Sequence, residues 1–188
     1  MRRTVERRSL GDAVFEQLRD EILHGEIAPG ASLPAERVLC ETFGVNRGAV
    51  REALKRLQQI RLVAMQQGGA TRVLDFRTVA GLEVLPALVL GERGAIQPDV
   101  VASVVEMRTA LGMDAARLAA GRGGAAIAAD PDEIVADMHA AEGDWVRLQD
   151  LAMTYWDRLV AGCGNIAYRL AFNSMQATYD RFREVLRP

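Results

Sequence analysis

The chain has 188 residues, of which 49% are hydrophobic, 26% charged and only 5% aromatic. This composition favours helices over sheets and supplies enough apolar material for a buried core. Its two cysteines, Cys40 and Cys163, give neither a disulfide framework nor a paired metal motif. No apolar stretch approaches the roughly 20 residues of a membrane span, and no signal peptide is visible. The sequence therefore excludes secreted, collagen-like, disordered and membrane-spanning classes and favours a cytoplasmic protein.

The net charge of −2 conceals a difference between the two halves of the chain. Residues 1–77 hold 13 Lys and Arg against 10 Asp and Glu, whereas residues 78–188 hold 10 against 15. The basic excess is strongest over residues 35–72, which contain seven basic and three acidic side chains. Such a split favours a nucleic-acid-binding part joined to a part of different function, although a solvated basic face gives the same composition.

Three helices and a hairpin are predicted within the first 75 residues. Apolar residues at a four-residue spacing predict the first helix over residues 10–24. A second, short helix is predicted to start near Pro34 and to end at residues 43–44. Asn46 is suited to cap a third helix over residues 47–61.

The third helix is predicted to be followed by two short strands. Residues 62–66 and 71–74 have the pattern of strands, and residues 67–70 form the tip of the hairpin that joins them. Three helices followed by a two-stranded ribbon describe a winged helix-turn-helix. On the third helix, Arg47, Arg51 and Lys55 recur at a four-residue spacing and are expected to point away from the apolar face.

The remainder of the chain is predicted to be entirely helical. Residues 76–97 are interpreted as a linker with short helices, because Pro86 interrupts an apolar segment. A first helix is expected from Pro98 to about Ala120, closed by Gly121. Further helices are expected from a capping motif at residues 130–133 to about residue 141, over residues 144–161, and from a cap at Asn165 to about residue 186. The expected fold class is therefore mainly α.

The sequence LPAER at residues 33–37, FGVNR at residues 43–47 and VREALKRL at residues 50–57 resembles the DNA-binding domain of GntR-family transcription regulators. The resemblance covers about residues 10–75 and implies a domain over residues 1–75 whose recognition helix enters the major groove. In that groove an arginine can donate two hydrogen bonds to guanine O6 and N7. The resemblance implies these DNA-binding residues: Arg37, Asn46, Arg47, Arg51, Lys55, Gln67 and Gly68.

The second part of the chain is similar to the FadR-like, fatty-acid-responsive subfamily. The sequence Met107-Arg108-Thr109 and the sequence around Cys163-Gly164-Asn165 carry this resemblance. It implies an effector-binding and dimerisation bundle over residues 98–188, incomplete at its C-terminal side. The implied effector-binding residues are Arg108, Tyr155, Tyr168, Asn173 and Tyr179. The aromatic residues are expected to be bundle-core residues first and pocket walls second, and an ion pair with an acidic neighbour is the favoured alternative for Arg108.

The resemblance implies a homodimer that binds a palindromic double-stranded operator and responds to a small-molecule effector, with a long-chain acyl-CoA as the first candidate. A small carboxylate is an alternative effector. A metabolite-binding module that does not bind DNA is the alternative function.

Neither a cofactor nor a catalytic centre is expected. Relatives in the FCD branch hold a metal with an aspartate and three histidines, and two of the corresponding positions here are Ala152 and Trp156. The chain has only two histidines, His24 and His139, so a metal site of that kind is not expected. Because no nucleophile–base or paired-carboxylate pattern stands out either, the chain is not expected to be an enzyme.

Overall fold

The computed structural model describes residues 9–66, 69–91, 94–123 and 125–186. The chain divides into two compact units, residues 1–95 and 96–188. The first unit begins with helices α1 (Leu10–Leu23), α2 (Glu36–Phe43) and α3 (Arg47–Gln59), which confirms the predicted order. None of the helices in the described ranges is long and apolar enough to cross a membrane.

Side-chain caps fix the beginnings of α1 and α3. Ser9 and Asp12 form a capping box on α1, in which each side chain accepts a hydrogen bond from the other residue's backbone N–H. The Asp12 carboxylate also accepts a hydrogen bond from Arg56 of α3. As predicted, Asn46 caps α3, because its Oδ1 accepts from the Ala49 N–H at 3.0 Å.

Two predicted helix ends in this unit are wrong. Helix α2 begins at Glu36 rather than near Pro34, because the Leu33 N–H donates to the Thr71 carbonyl at 2.8 Å and keeps this stretch extended. Helix α3 ends at Gln59 rather than at about Arg61, because Arg61 takes a left-handed backbone with φ of 56°.

A small antiparallel ribbon follows α3. Strands β1 (Val63–Ala64) and β2 (Arg72–Val73) pair with Val63 opposite Val73, which confirms the wing but makes each strand shorter than predicted. A further segment joins β2: the Gly30 N–H donates to the Val73 carbonyl at 2.8 Å, and the Val73 N–H donates to the Ala31 carbonyl at 2.9 Å. This pairing, which the sequence pattern did not predict, ties the loop before α2 to the wing.

Much of the segment predicted as a linker packs onto the first unit. It forms α4 (Phe76–Val79), a 3₁₀ turn (Leu82–Val84) and α5 (Leu85–Leu88). Val84 and Ala87 are buried in the same apolar core as the side chains of α1 and α3. Pro86 does not interrupt a helix, since it lies in the first turn of α5, where its missing N–H is not needed.

The second unit is a bundle of α6 (Pro98–Gly123), α7 (Ala125–Ala140), α8 (Trp145–Cys163) and α9 (Ile166–Leu186). Helix α8 packs against α6 and α7, and α9 packs against α6 and α8. Trp156 of α8 and Tyr168 of α9 contact both of the apolar clusters at these helix contacts. The all-helical prediction is confirmed.

The boundary between α6 and α7 differs from the prediction. Helix α6 continues through Gly121 to Gly123, and α7 begins at Ala125 instead of at the capping motif of residues 130–133. Pro131 therefore lies inside α7. Four alanines within residues 125–129 give this stretch a high helix propensity, which outweighs the local capping pattern. As predicted, Asn165 caps the last helix, because its side chain accepts from the Ala167 N–H at 3.0 Å. Asp144 caps α8 in the same way, accepting from the Arg147 N–H at 3.0 Å, which the sequence pattern did not predict.

Candidate nucleic-acid interface

Helix α3 presents a basic strip, formed by Arg47, Arg51 and Lys55, to solvent. Its opposite face is buried, with Val50 and Leu57 both 0% exposed. The helix is amphipathic because the basic residues recur at i, i+4 and i+8 while the apolar residues occupy the positions between them. The core contacts thus hold α3 with its charged side outward, as the sequence predicted.

A groove of about 640 Å³ lies between the beginnings of α2 and α3 and the wing. We call it the wing groove, and its lining includes Glu36, Arg37, Arg47, Gln66 and Gly69. The bonds from the loop before α2 to β2 hold its two sides together. The fold therefore brings Arg37 and Arg47, which belong to different helices, to one concave surface.

The three arginines of the predicted DNA interface differ in their partners. Arg37 Nη1 lies 2.6 Å from Glu41 Oε1 in the same helix. Arg51 Nε donates to both carboxylate oxygens of Glu36, at 3.2 and 2.9 Å. Within the described ranges, Arg47 has no hydrogen bond or ion pair to another side chain, which leaves its guanidinium available to an external acceptor.

Other predicted DNA-binding residues have different outcomes. Lys55 is exposed and, among the residues that the structure describes, makes no ion pair. The side chain of Asn46 is engaged in capping α3. Gln67 and Gly68 lie outside the described residues. The contact of the Glu36 carboxylate with Arg51 was not predicted, although Glu36 belongs to the LPAER motif, because it joins positions 15 apart in sequence.

The second unit holds a narrow crevice beside Trp156. It is lined in part by Arg108, Gly112, Trp156 and Tyr168, and its free volume is about 10 Å³, which is room for about one water molecule. The Arg108 guanidinium stacks over the Trp156 ring at 5.0 Å from the ring centroid. A cation and an apolar wall are therefore adjacent in this crevice.

The predicted effector residues are only partly gathered at this crevice. Arg108 and Tyr168 line it, and Tyr155 meets Trp156 edge-on with ring centroids 6.0 Å apart. Asn173 is exposed, and neither it nor Tyr179 is among the residues that line the crevice. The alternative prediction paired Arg108 with an acidic neighbour, but within the described ranges Arg108 makes no ion pair.

The Tyr168 hydroxyl donates a 2.7 Å hydrogen bond to the Asp114 carboxylate. This bond and the neighbouring Arg117 lower the pKa of Asp114 below its ordinary value. The same hydrogen bond raises the pKa of Tyr168. The pair joins α6 to α9 at one edge of the crevice.

No three histidine, cysteine or acidic side chains in the described ranges lie close enough to hold a metal ion together. Position 156, where a metal-binding relative is expected to have histidine, holds a tryptophan that packs in the bundle core. The absence of a bound metal stays a prediction.

Three helices, a basic third helix and a wing define the first unit as a winged helix-turn-helix, a class of DNA-binding domain. Family models match both units: "Bacterial regulatory proteins, gntR family" matches residues 10–73, and "FCD domain" matches residues 103–188. The chain belongs to the GntR family, with a C-terminal FCD domain of the FadR-like kind.

Individual relatives agree with this assignment. The HTH-type transcriptional regulator Mce2R of Mycobacterium tuberculosis is 42% identical over 179 residues, which are 94% of this chain and 72% of that protein. The fatty acid metabolism regulator protein of Edwardsiella ictaluri is 31% identical over 88% of this chain and 67% of its own length. The Listeria monocytogenes protein Lar shares the fold, with a TM-score of 0.53 at 17% identity over 95% of this chain and 75% of Lar.

The chain is therefore a DNA-binding transcription regulator with an effector and dimerisation domain, and it is not an enzyme. The alternative of a metabolite-binding module that does not bind DNA is wrong, because the GntR match spans the whole winged helix-turn-helix.

Proposed function

We propose that the chain binds a palindromic operator as a homodimer, with the basic strip of α3 in the major groove. Arg37, Arg47 and Arg51 would contact bases or backbone, and the wing tip at Gln67 and Gly68 would approach the minor groove. The observation that carries this proposal is the exposed Arg47 at the first turn of α3, beside the wing groove. Residues near the beginning of a recognition helix are the ones that reach base edges.

The ion pairs of this surface are compatible with DNA binding. An exposed pair such as Arg37–Glu41 contributes only about 0–1 kcal/mol, so a phosphate can replace the Glu41 carboxylate at little cost. Binding by two copies doubles the number of phosphate contacts and requires half-sites about one helical turn apart. Two-fold symmetry of the protein then matches a palindromic sequence.

The test is selection of binding sequences from a random duplex library by the purified full chain. We expect Arg47→Ala to weaken binding to the selected duplex by about 1–3 kcal/mol and to relax the preference at one guanine in each half-site. The matched control is Arg147→Ala, which removes an exposed arginine from α8 in the second unit. Equal affinity of wild type and Arg47→Ala for the selected duplex would contradict the proposal.

We further propose that the second unit binds a long-chain acyl-CoA and that this binding releases DNA. The name of the Edwardsiella ictaluri relative, which concerns fatty acid metabolism, supports this effector class. Arg108 supplies a cation for an anionic head group beside an apolar wall. The ligand would favour one arrangement of the dimer in which the two recognition helices no longer match the operator.

A small carboxylate is the second candidate, because the free volume of about 10 Å³ at Arg108 requires the crevice to open before an acyl chain can enter. Palmitoyl-CoA, acetate and citrate are titrated separately against the preformed complex with the selected duplex. We expect palmitoyl-CoA alone to weaken DNA binding, by about 5–150-fold. Release by acetate or citrate without release by palmitoyl-CoA would replace the acyl-CoA proposal with the carboxylate one.

A further inference from the structure

Glu36, which lines the wing groove, makes an ion pair that joins α2 to α3. It is the first residue of α2, and its side chain is 33% exposed. Both of its carboxylate oxygens accept from the same atom of α3, Arg51 Nε, at 3.2 and 2.9 Å. Within the described ranges, the two terminal nitrogens of Arg51 make no hydrogen bond to the protein. The carboxylate therefore holds the guanidinium by its inner edge.

The outer edge of a guanidinium held in this way has a defined chemical use. Arginine has five N–H donors in one plane, and only the one on Nε is occupied here, so the four on Nη1 and Nη2 stay available. Guanine offers two acceptors in the major groove, O6 and N7, which fit two donors of one arginine. Arg51 is thus oriented for base reading before DNA arrives, which lowers the entropy lost on binding.

The pair between Arg37 and Glu41 has the opposite arrangement. It joins residues of the same helix, both side chains are more exposed, at 69% and 61%, and the contact uses a terminal nitrogen, Nη1. A carboxylate on Nη1 occupies a donor that a guanine would need. Glu36 thus leaves the terminal donors of its arginine available to a base, whereas Glu41 occupies one of them.

We propose that Glu36 is a positioning residue that determines base specificity by presenting the Nη1 and Nη2 donors of Arg51 to a guanine. This inference rests on the proposed function, in which Arg51 contacts a base. The carboxylate also has a second effect: it repels phosphates and prevents Arg51 from binding the backbone of any sequence. Glu36 therefore favours the correct sequence and disfavours the others.

The experiment compares Kd values for two duplexes over a series of salt concentrations. One is the duplex selected by the wild-type chain, and the other is a mixed-sequence duplex without that site. The ratio of the two Kd values measures specificity, and the salt dependence counts phosphate contacts. The variants are Glu36→Gln, Glu36→Ala, Arg51→Ala and the double variant Glu36→Ala/Arg51→Ala. Glu52→Gln is the matched control. It also removes one negative charge from the first unit, but the Glu52 carboxylate of α3 lies beside Gly11 of α1, whereas the partner of Arg51 is Glu36.

We expect Glu36→Ala to lower the specificity ratio at least about fivefold, at the same guanine that Arg51→Ala affects. With the mixed-sequence duplex its salt slope should steepen by about 0.9, because the released Arg51 gains one phosphate contact, and the double variant should lose this gain. Glu52→Gln should keep the ratio within about twofold of wild type. If Glu36→Ala lowers the specificity ratio and Glu36→Gln does not, positioning depends on the hydrogen bond alone, since the amide oxygen of glutamine still accepts from Nε.

Two results overturn the inference in different ways. If Arg51→Ala lowers the ratio while Glu36→Ala and Glu36→Gln keep it within about twofold of wild type, Arg51 reads the base without help from Glu36. If Arg51→Ala itself leaves the ratio unchanged, the proposed base contact of Arg51 fails, and the inference fails with it. Thermal unfolding of every variant verifies that the first unit is folded, and an exposed ion pair has little effect on this measurement.

Discussion

Arg61 has a left-handed backbone, with φ of 56°, which in the described ranges is found at no other residue except glycines. It follows the last turn of α3, where its N–H and that of Leu62 donate to the carbonyls of Gln58 and Leu57 at 3.0 and 2.9 Å. This pair of backbone hydrogen bonds is the Schellman motif, whose left-handed position is usually glycine. The side chain contributes a weak 3.3 Å hydrogen bond from Nη1 to the Val79 carbonyl.

Arg61→Gly is expected to stabilise the first unit by about 0.5–1 kcal/mol. A non-glycine residue in this conformation costs on the order of 1–3 kcal/mol, and the greater freedom of glycine in the unfolded chain offsets part of the gain. The measurement is the urea concentration at the midpoint of unfolding, which should rise while the slope of the unfolding free energy against urea stays unchanged. Arg61→Ala is the control, because it removes the same side chain but keeps the Cβ. An equal gain in both variants would show that backbone strain is not the cause.

The hydrogen bond between Tyr168 and Asp114 predicts a pH dependence of stability. Because the pKa of Asp114 is lowered in the folded chain, its carboxylate contributes fully to the free energy of unfolding above about pH 4. This contribution is lost as the pH falls further. The raised pKa of Tyr168 means that its contribution is lost as the pH rises above about 10.

Tyr168→Phe should raise the pKa of Asp114 toward its ordinary value, since the hydrogen bond from Tyr168 is the largest cause of the shift. The loss of unfolding free energy on acidification should then be smaller than in wild type. A carboxyl-carbon NMR titration of Asp114 and urea unfolding between about pH 3 and 7 measure both effects. Tyr155→Phe removes a hydroxyl that is not bonded to Asp114 and should leave the titration of Asp114 unchanged.

At the scale of elements, the sequence predicts α3 most completely. The alternation of basic and apolar residues and the cap at Asn46 give its start and both of its faces. The start of α7 could not be predicted, because the capping motif at residues 130–133 and the alanine-rich stretch before it favour different starts, and the longer helix is the result. Pairing of the loop at Gly30 with β2 and of Glu36 with Arg51 joins distant positions, so no local pattern indicates either one.

The contact of α6 with α8 depends on a glycine. A Cβ at Gly112 would overlap the indole ring of Trp156, whereas a Cβ at Gly121 of the same helix meets nothing within 4 Å. Gly112 therefore permits the close approach of the two helices, and Gly121 has no such role.

Alanine at these two glycines should have effects of opposite sign. Gly112→Ala is expected to destabilise the second unit by about 1–3 kcal/mol, because Trp156 must move out of a filled core. Gly121→Ala should stabilise it by about 0.5–1 kcal/mol through helix propensity. Near-ultraviolet circular dichroism during thermal unfolding follows the tryptophan environment in both variants. If Gly121→Ala destabilises the second unit to the same extent, overlap with the Trp156 ring is not the cause of the effect at Gly112.

At the scale of the whole molecule, the proposed function requires that one unit changes the DNA affinity of the other. Such coupling is a free energy shared by two binding equilibria, and it is reciprocal. If acyl-CoA weakens operator binding by some factor, the operator must weaken acyl-CoA binding by the same factor. The two tryptophans of the second unit make this measurable, since Trp156 lines the crevice whereas Trp145 is 76% exposed.

Palmitoyl-CoA should therefore change the fluorescence of Trp156, because the crevice has free volume of about 10 Å³ and must open around the indole to admit the ligand. Trp145→Phe should keep this signal, and Trp156→Phe should abolish it. Repeating the titration with saturating operator duplex should raise the apparent Kd for palmitoyl-CoA by the factor, about 5–150, by which palmitoyl-CoA weakens DNA binding. The same Kd for palmitoyl-CoA with and without duplex would mean that the ligand binds without controlling DNA affinity.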